Sequence, residues 1–145
     1  MKTYIFKTNM LQNKKISREI EVLENINLYK LAQAVVESYG FDFDHAFGFF
    51  RKVTEGWNGL AESERYELFA DIDPEEAKGA KSVEKTKIGE VWKNIGDKMM
   101  MLFDYGDEWR FSVELKDFGE KIPKIKYPRV LKTLGAAPEQ YPDWE

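Results

Sequence analysis

Cysteine is absent from the 145 residues, and histidine occurs once, at position 45. The first absence excludes disulfides, thiolate nucleophiles and cysteine-ligated zinc. The second excludes every zinc motif built on two histidines. No run approaches the roughly 18 apolar residues of a membrane-spanning helix, so no membrane partner is expected. Residues 1–10 hold no apolar stretch of signal-peptide length, and the cytoplasm is the expected location. Positive charge is not in excess either: 22 Lys and Arg stand against 26 Asp and Glu, for a formal net charge of -4. That balance argues against a broad non-specific nucleic-acid surface, which draws on clustered Lys and Arg. Glycine-rich phosphate loops are missing, and no serine lies in a Gly-x-Ser-x-Gly setting.

Aromatic residues are plentiful: ten Phe, seven Tyr and four Trp. They point to a core built on rings rather than on leucine. The length fits a single domain, residues 1–145, large enough to bury a sizeable core. Residues 99–115 form its centre, reading as two strands joined by the acidic turn Asp104-Tyr105-Gly106-Asp107-Glu108. Trp109, Phe111, Val113 and Leu115 share one face of the second strand and read as core.

Upstream, residues 3–8 are aromatic and β-branched and read as a strand. Residues 16–22 alternate, with Ile16, Arg18, Ile20 and Val22 on one face and Ser17, Glu19 and Glu21 on a solvated one. The pair suggests an antiparallel hairpin. Leu28, Leu31, Ala32, Val35, Val36 and Tyr39 then make a helical stripe. Asn27 is suited to cap it and Gly40 to end it with positive φ. A further strand starts at His45, in phase with Phe47 and Phe49, and Gly48 could admit a bulge or a close approach.

Residues 54–85 read as a variable insert. Trp57-Asn58-Gly59 looks like a turn, residues 61–70 fit helix or strand, and Asp73-Pro74-Glu75-Glu76 reads as the start of a short helix ending by Gly79. Ile88, Val91, Trp92 and Ile95 have helical spacing, with Gly96 as a stop. Past Leu115 the chain becomes polar, and residues 119–145 read as an irregular tail with a short docked segment at 127–131. The expected fold is therefore α+β: a mostly antiparallel sheet of about five strands, two main helices on one face, in the order β-β-α-β-insert-α-β-β.

Three places carry a family likeness. One is Leu28-x-x-Leu31 running into Tyr39-Gly40-Phe41-Asp42-x-Asp44-His45-x-Phe47-x-Phe49. A second is Thr86-x-Ile88-Gly89-x-Val91 with Gly96-Asp97-Lys98 and Phe103-Asp104-Tyr105-Gly106-Asp107-x-Trp109. The third is Tyr127-Pro128-Arg129. Together they resemble the plasmid pRiA-type ORF-3-like family, some of whose members are labelled passenger proteins of an insertion element. The resemblance covers most of the chain outside the insert. It implies a compact α+β domain, a link to plasmids or other mobile elements, and no defined mechanism. The sequence departs from the family where many members carry His two residues after the motif Trp, since Phe111 stands there. Val130 and the Ala136-Ala137-Pro138 stretch replace cysteines that many members have. No metal role therefore carries over, and no cofactor is expected.

Two polar groups are candidates for one site. Asp104 and Asp107, beside Glu108, lie in the acidic turn; Asp42, Asp44 and His45 lie at the mouth of a strand. If they converge, they could form a binding surface with Trp109, bordered by Tyr127 and Arg129. Carboxylates with one imidazole could also hold a cation or exchange protons. In the plainer reading Asp104 and Asp107 set the turn, with Gly106 at positive φ, and His45 is a structural residue bonded to an acid. Trp57 and Trp144 are candidates for exposed contacts. Lys121, Lys124, Lys126, Arg129 and Lys132 form a basic run around Tyr127, suited either to solvent or to phosphate. The expected function is a non-catalytic binding or accessory module with a protein or small-molecule partner. The alternatives are a small metal-assisted hydrolase on the Asp/His group and a nucleic-acid accessory factor.

Overall fold

The computed structural model describes residues 1–142. Trp144 lies outside the described residues. The protein is α+β and mostly β. Among the described residues seven strands form one antiparallel sheet, accompanied by three helices, of which only one exceeds a single turn. In chain order the strands are β1 (Lys2–Met10), β2 (Ser17–Leu23), β3 (Phe47–Phe50), β4 (Arg65–Glu67), β5 (Lys98–Phe103), β6 (Trp109–Glu120) and β7 (Arg129–Leu134). Across the sheet they run β4-β3-β5-β6-β1-β2-β7. The helices are α1 (Leu28–Ser38), α2 (Phe69–Ile72) and α3 (Ile88–Val91). None is long and apolar enough to cross a membrane.

The β1–β2 hairpin, α1, β3 and the β5–β6 hairpin are where patterning placed them. Asn27 caps α1, its Oδ1 accepting from the Lys30 N–H at 2.8 Å, and Gly40 follows with φ 77. The six buried α1 residues Leu28, Leu31, Ala32, Ala34, Val35 and Val36 lie against the sheet. The core beneath them is aromatic: Phe6 meets Trp92 edge-on with ring centroids 5.0 Å apart, and Tyr39 meets Phe111 at 4.8 Å.

The strand count exceeds the expected five by two. β4 lies inside the supposed insert and β7 inside the supposed irregular tail, and β6 runs on to Glu120. Alternation reports one-sided burial over a run of about four residues or more, and neither extra strand supplies such a run. β4 is three residues long, and β7 is an edge strand whose side chains are mostly exposed. The second main helix is reduced to the single turn α3. Trp92 leaves it with extended backbone, φ -104 and ψ 108, and enters the core, where its indole N–H donates to the Val113 carbonyl at 3.0 Å. Ile95 is left exposed. The helix expected to begin at Asp73 is not formed: Asp73 ends α2, and residues 74–79 are turns, with the Glu76 N–H bonded to the Asp73 carboxylate.

The expected solvated face of β2 is also largely covered. Glu21 is buried, accepting from the Thr3 hydroxyl at 2.6 Å and from Arg129 at 2.7 Å. β7 supplies that arginine, so pairing at the edge buries a carboxylate that alternation alone leaves in water.

Both faces of the sheet are packed near β3 and β5. Met99, Met101 and Phe103 belong to the main core, whereas Met100 and Leu102 join Phe50, Leu11 and Leu60 in a second cluster on the opposite face. Part of the region at 54–61 covers that second cluster. Buried Arg110 fastens it, donating to the Thr54 and Gly56 carbonyls at 2.8 and 2.9 Å. Gly48 makes the close approach its position suggested. A Cβ there would meet the Tyr105 hydroxyl at 2.8 Å and Glu67 Cγ at 2.9 Å. Tyr105 uses that space to donate to Glu67 Oε1 at 2.5 Å, and Arg65 pairs with the same carboxylate.

Candidate functional site

Asp104 follows β5 with φ 64. Aspartate tolerates this left-handed region better than most residues, because its short polar side chain can bond locally. Here Oδ1 accepts from the N–H groups of Gly106 and Asp107, at 3.1 and 3.2 Å. The positive φ expected at Gly106 falls instead on Asp104 and on Glu108, with φ 57. Asp104 is buried, and its own N–H donates to the Ala46 carbonyl at 2.9 Å, which ties the turn to the start of β3.

That tie brings the two candidate groups together. Asp104 Oδ2 lies 3.6 Å from His45 Nε2. On the other side of the ring, His45 Nδ1 meets Asp44 Oδ1 at 2.8 Å. The imidazole is thus held between two carboxylates. The Tyr141 hydroxyl completes the cluster, 2.8 Å from Asp44 Oδ2 and 2.9 Å from His45 Nδ1. Asp42 takes part through its backbone: its N–H donates to Gln140 Oε1 at 2.7 Å, and its carbonyl accepts from Gln140 Nε2 at 3.0 Å. Residues 135–142 therefore form a strap, leaving β7 at one edge of the sheet and binding at the mouth of β3.

The charges within this cluster shift one another. The hydrogen bond to Asp44 raises the His45 pKa above 6.5 against the opposing pull of burial, and the charges of Asp104, Asp44 and Asp107 add to the rise. Burial alone would raise the Asp44 carboxyl. Hydrogen bonds from His45 and Tyr141 outweigh it and hold the group below 3.8. Burial and the Asp44 carboxylate push the Tyr141 phenol far up, so it stays a donor. The consequence for stability follows from linkage. His45, with its folded value raised, contributes fully below 6.5 and loses that contribution as pH rises through its folded value. Asp44, with its value depressed, contributes above 3.8 and loses that as pH falls through its folded value. Attachment of the strap is expected to be firmest between those limits. With one histidine in the chain, its imidazole proton resonances report the site alone. Their midpoint is expected above 6.5, falling in Asp44→Asn and less in Asp104→Asn. A midpoint at or below 6.5 in the unaltered protein would contradict this electrostatic account.

Beside the cluster lies a cleft of about 750 Å³, lined by Asp107, Trp109, Pro138, Gln140, Tyr141 and Pro142 among others. Trp109 packs on Phe41 with ring centroids 4.8 Å apart, and its buried indole N–H has no hydrogen-bond partner among the described residues. Asp107 is exposed at the rim.

Tyr127 and Arg129 are placed elsewhere. Arg129 heads β7 and is engaged by Glu21. The Tyr127 hydroxyl accepts from the Ile122 N–H at 3.0 Å. β6, β1 and β2 intervene between β7 and β5. Trp57 is half exposed, stacked on Tyr105 with Arg110 over its ring. Among the described residues no three His, Asp or Glu side chains are grouped so as to hold a metal ion. Sequence reasoning missed Gln140 and Tyr141. They lie in an aperiodic proline-rich stretch nearly a hundred residues from their partners, and no local signal marks them.

Comparison with known proteins bears on the fold and the family. A family model described as plasmid pRiA4b ORF-3-like protein matches residues 2–141. The chain is similar in fold to a protein of unknown function, MM3350, from Methanosarcina mazei Go1, solved by crystallography. The TM-score is 0.73 at 21% identity, over 94% of this chain and 71% of that one. No curated protein matches.

Proposed function

The chain belongs to the plasmid pRiA4b ORF-3-like family, and from that premise we propose that it is a non-catalytic binding or accessory module for a cationic partner group. One observation carries the reading: the acidic turn, the Asp44–His45 pair and the strap meet beside a cleft with an aromatic floor. Asp107 and Glu139 supply negative charge at its lining, and Trp109 and Tyr141 supply ring surface. Carboxylate and aromatic face together suit an ammonium or guanidinium group, such as a Lys or Arg side chain of a protein partner. The plasmid in the family's description suits an accessory role on a mobile element. A cytoplasmic setting fits the cysteine-free composition.

The hydrolase alternative asks His45 to act as a base. Both of its ring nitrogens face carboxylates, which raise its pKa, and a ring engaged on both sides supports a structural role over that of a general base. The nucleic-acid alternative loses Arg129 from its basic run to the buried Glu21.

The test is titration with an acetylated, amidated Lys-Arg-Lys-Arg peptide, followed by isothermal calorimetry. Binding is expected to weaken about tenfold or more in Asp107→Lys, as for loss of a charge-assisted contact, and to weaken with salt. Equal affinity in Asp107→Lys, or equal binding of a tetraglutamate, would overturn the proposal.

A further inference from the structure

The sheet ends in two edges that are finished differently. Beyond β4, Lys81 closes the edge: its N–H donates to the Arg65 carbonyl at 3.1 Å, and its carbonyl accepts from the Glu67 N–H at 3.0 Å. Beyond β7, no segment pairs among the described residues. One side of β7 therefore presents a row of N–H and C=O groups to solvent, a template for a further strand. Exposed Val130, Leu131 and Leu134 add aliphatic surface to it. The register to β2 slips between Val130 and Lys132, which leaves Leu131 as a bulge.

Residues opposite one another on adjacent strands share a face of the sheet. Val130 stands opposite Ile20, on the α1 side; Lys132 stands opposite Glu19 and Arg129 opposite Glu21, on the other side. Both of those carboxylates are already engaged, Glu21 by Arg129 at 2.7 Å and Glu19 by Lys116 at 2.9 Å. Lys132 is left exposed beside them, and exposed Lys121, Lys124 and Lys126 lie on the approach to β7. None of these four makes an ion pair among the described residues. From Lys121 to Pro138 the chain holds five Lys and Arg and no carboxylate. Glu120 precedes the run, and on the α1 side Lys30 and Glu37, near Pro128, offset each other. The balance along this edge is positive.

We propose that the free edge of β7 receives an extended acidic segment of a partner protein as an eighth strand, with carboxylates beside Lys132 on one face and aliphatic side chains beside Val130 on the other. Main-chain hydrogen bonds supply the affinity in such an addition, and alternate side chains supply the selection. The charge decides the occupant. A second copy of β7 brought alongside would set these lysines against their own kind, which is how edge lysines guard a sheet against itself; an acidic strand meets the complementary charge. Single-stranded nucleic acid would look for free aromatic faces. The ring within the basic run, Tyr127, lies under the Arg129 guanidinium at 5.5 Å, and its hydroxyl accepts from the Ile122 N–H. This edge is separate from the acidic cleft and does not depend on the function proposed for it.

The probe for the test is a fluorescein-labelled peptide amide, Glu-Val-Glu-Val-Glu-Val-Glu, titrated with the full chain by fluorescence anisotropy. Saturable binding is expected, weakening with salt. Lys132→Glu, an exposed change, is expected to weaken it about tenfold or more, the scale of one charge-assisted contact. Lys93→Glu, the same change of charge in the loop before β5, is expected to leave it unaltered. The same peptide with every backbone amide N-methylated keeps the charges and lacks the strand donors, and it is expected not to bind. Tetraglutamate, with the charge but neither the length nor the β-forming side chains, is expected to fail likewise. These peptide comparisons are made on the native protein, so they stand whatever Lys132→Glu does to the fold. The proposal is overturned if the native protein does not bind the probe, or if the N-methylated peptide or tetraglutamate binds as well, which would reduce the edge to a patch of charge. Undiminished binding in Lys132→Glu would place the probe elsewhere and equally overturn it. An oligothymidylate held more tightly than the peptide would make the occupant a nucleic acid, and a dimer in sedimentation that the peptide dissociates would make it a second copy; either result sinks the acidic strand.

Discussion

Arg18→Met is expected to lower the unfolding free energy by about 3 kcal/mol, the scale for stranding several buried acceptors of one charged donor. Arg18 is 5% exposed. Its guanidinium donates to the carbonyls of Ser38 at the end of α1, Ser17 in β2, and Leu134 and Gly135 where β7 ends, at 2.8, 2.8, 3.1 and 3.0 Å. It also lies 4.6 Å over the Tyr39 ring. Methionine keeps the apolar stem and removes every donor. The four carbonyls come from three elements, so the loss is expected to be local as well as global. Urea unfolding should show the lower midpoint with an unchanged slope. Hydrogen exchange in residues 134–141 should accelerate more than in β1 and β6, because Arg18 is what holds the base of the strap. A uniform acceleration, or an unchanged midpoint, would sink this account.

Trp92→Ala is expected to cost about 4 kcal/mol, the middle of the range for truncating a buried large ring. Trp92 is fully buried, packs edge-on against Phe6 and Phe49 at 5.0 and 5.7 Å, and hydrogen-bonds β6 through Val113. Trp92→Phe separates these contributions. It retains much of the ring volume and loses the N–H bond to the Val113 carbonyl, a net cost of about 0.5–1.5 kcal/mol. The expected order of midpoints in urea is native, then Phe, then Ala. If the Phe variant matched the native protein, the indole hydrogen bond would have no part in holding α3 to the sheet.

Elements were legible where their apolar side chains recur on one face, whether or not the other face is also covered, as it is in β2. The stripe of α1, the alternation of β2 and the run from Trp109 to Leu115 all reflect a single apolar face. What alternation could not show was an element defined by backbone pairing alone. β7 pairs with β2 while exposing Val130, Leu131 and Leu134, and β4 offers only Tyr66 to the interior. Trp92 shows the opposite failure. Its spacing from Ile88 reads as helix, and packing in the core draws it out of one. At the candidate site, Asp44, His45, Asp104 and Asp107 were legible as two groups because each is local. Their meeting depends on β3 pairing with β5, Phe47 opposite Phe103, and the adjoining strap has no local mark. Asp104 also shows why the two readings of the acidic turn were not exclusive, since one oxygen sets the turn while the other faces the imidazole.

The place of β1 in the sheet bears on how the chain assembles. β1 lies between β2, its neighbour in sequence, and β6, with Lys2 opposite Glu120. One side of β1 can therefore pair early, while the other waits for a strand roughly 100 residues further on, a separation that slows folding through the entropy of closing so long a loop. During synthesis, at roughly 5–20 residues per second, the hairpin and α1 spend several seconds with their apolar faces unmatched. Phe6, Ile20 and Leu31 are then open to any binder of nascent chains, and closure of the core arrives as one late event when β6 docks.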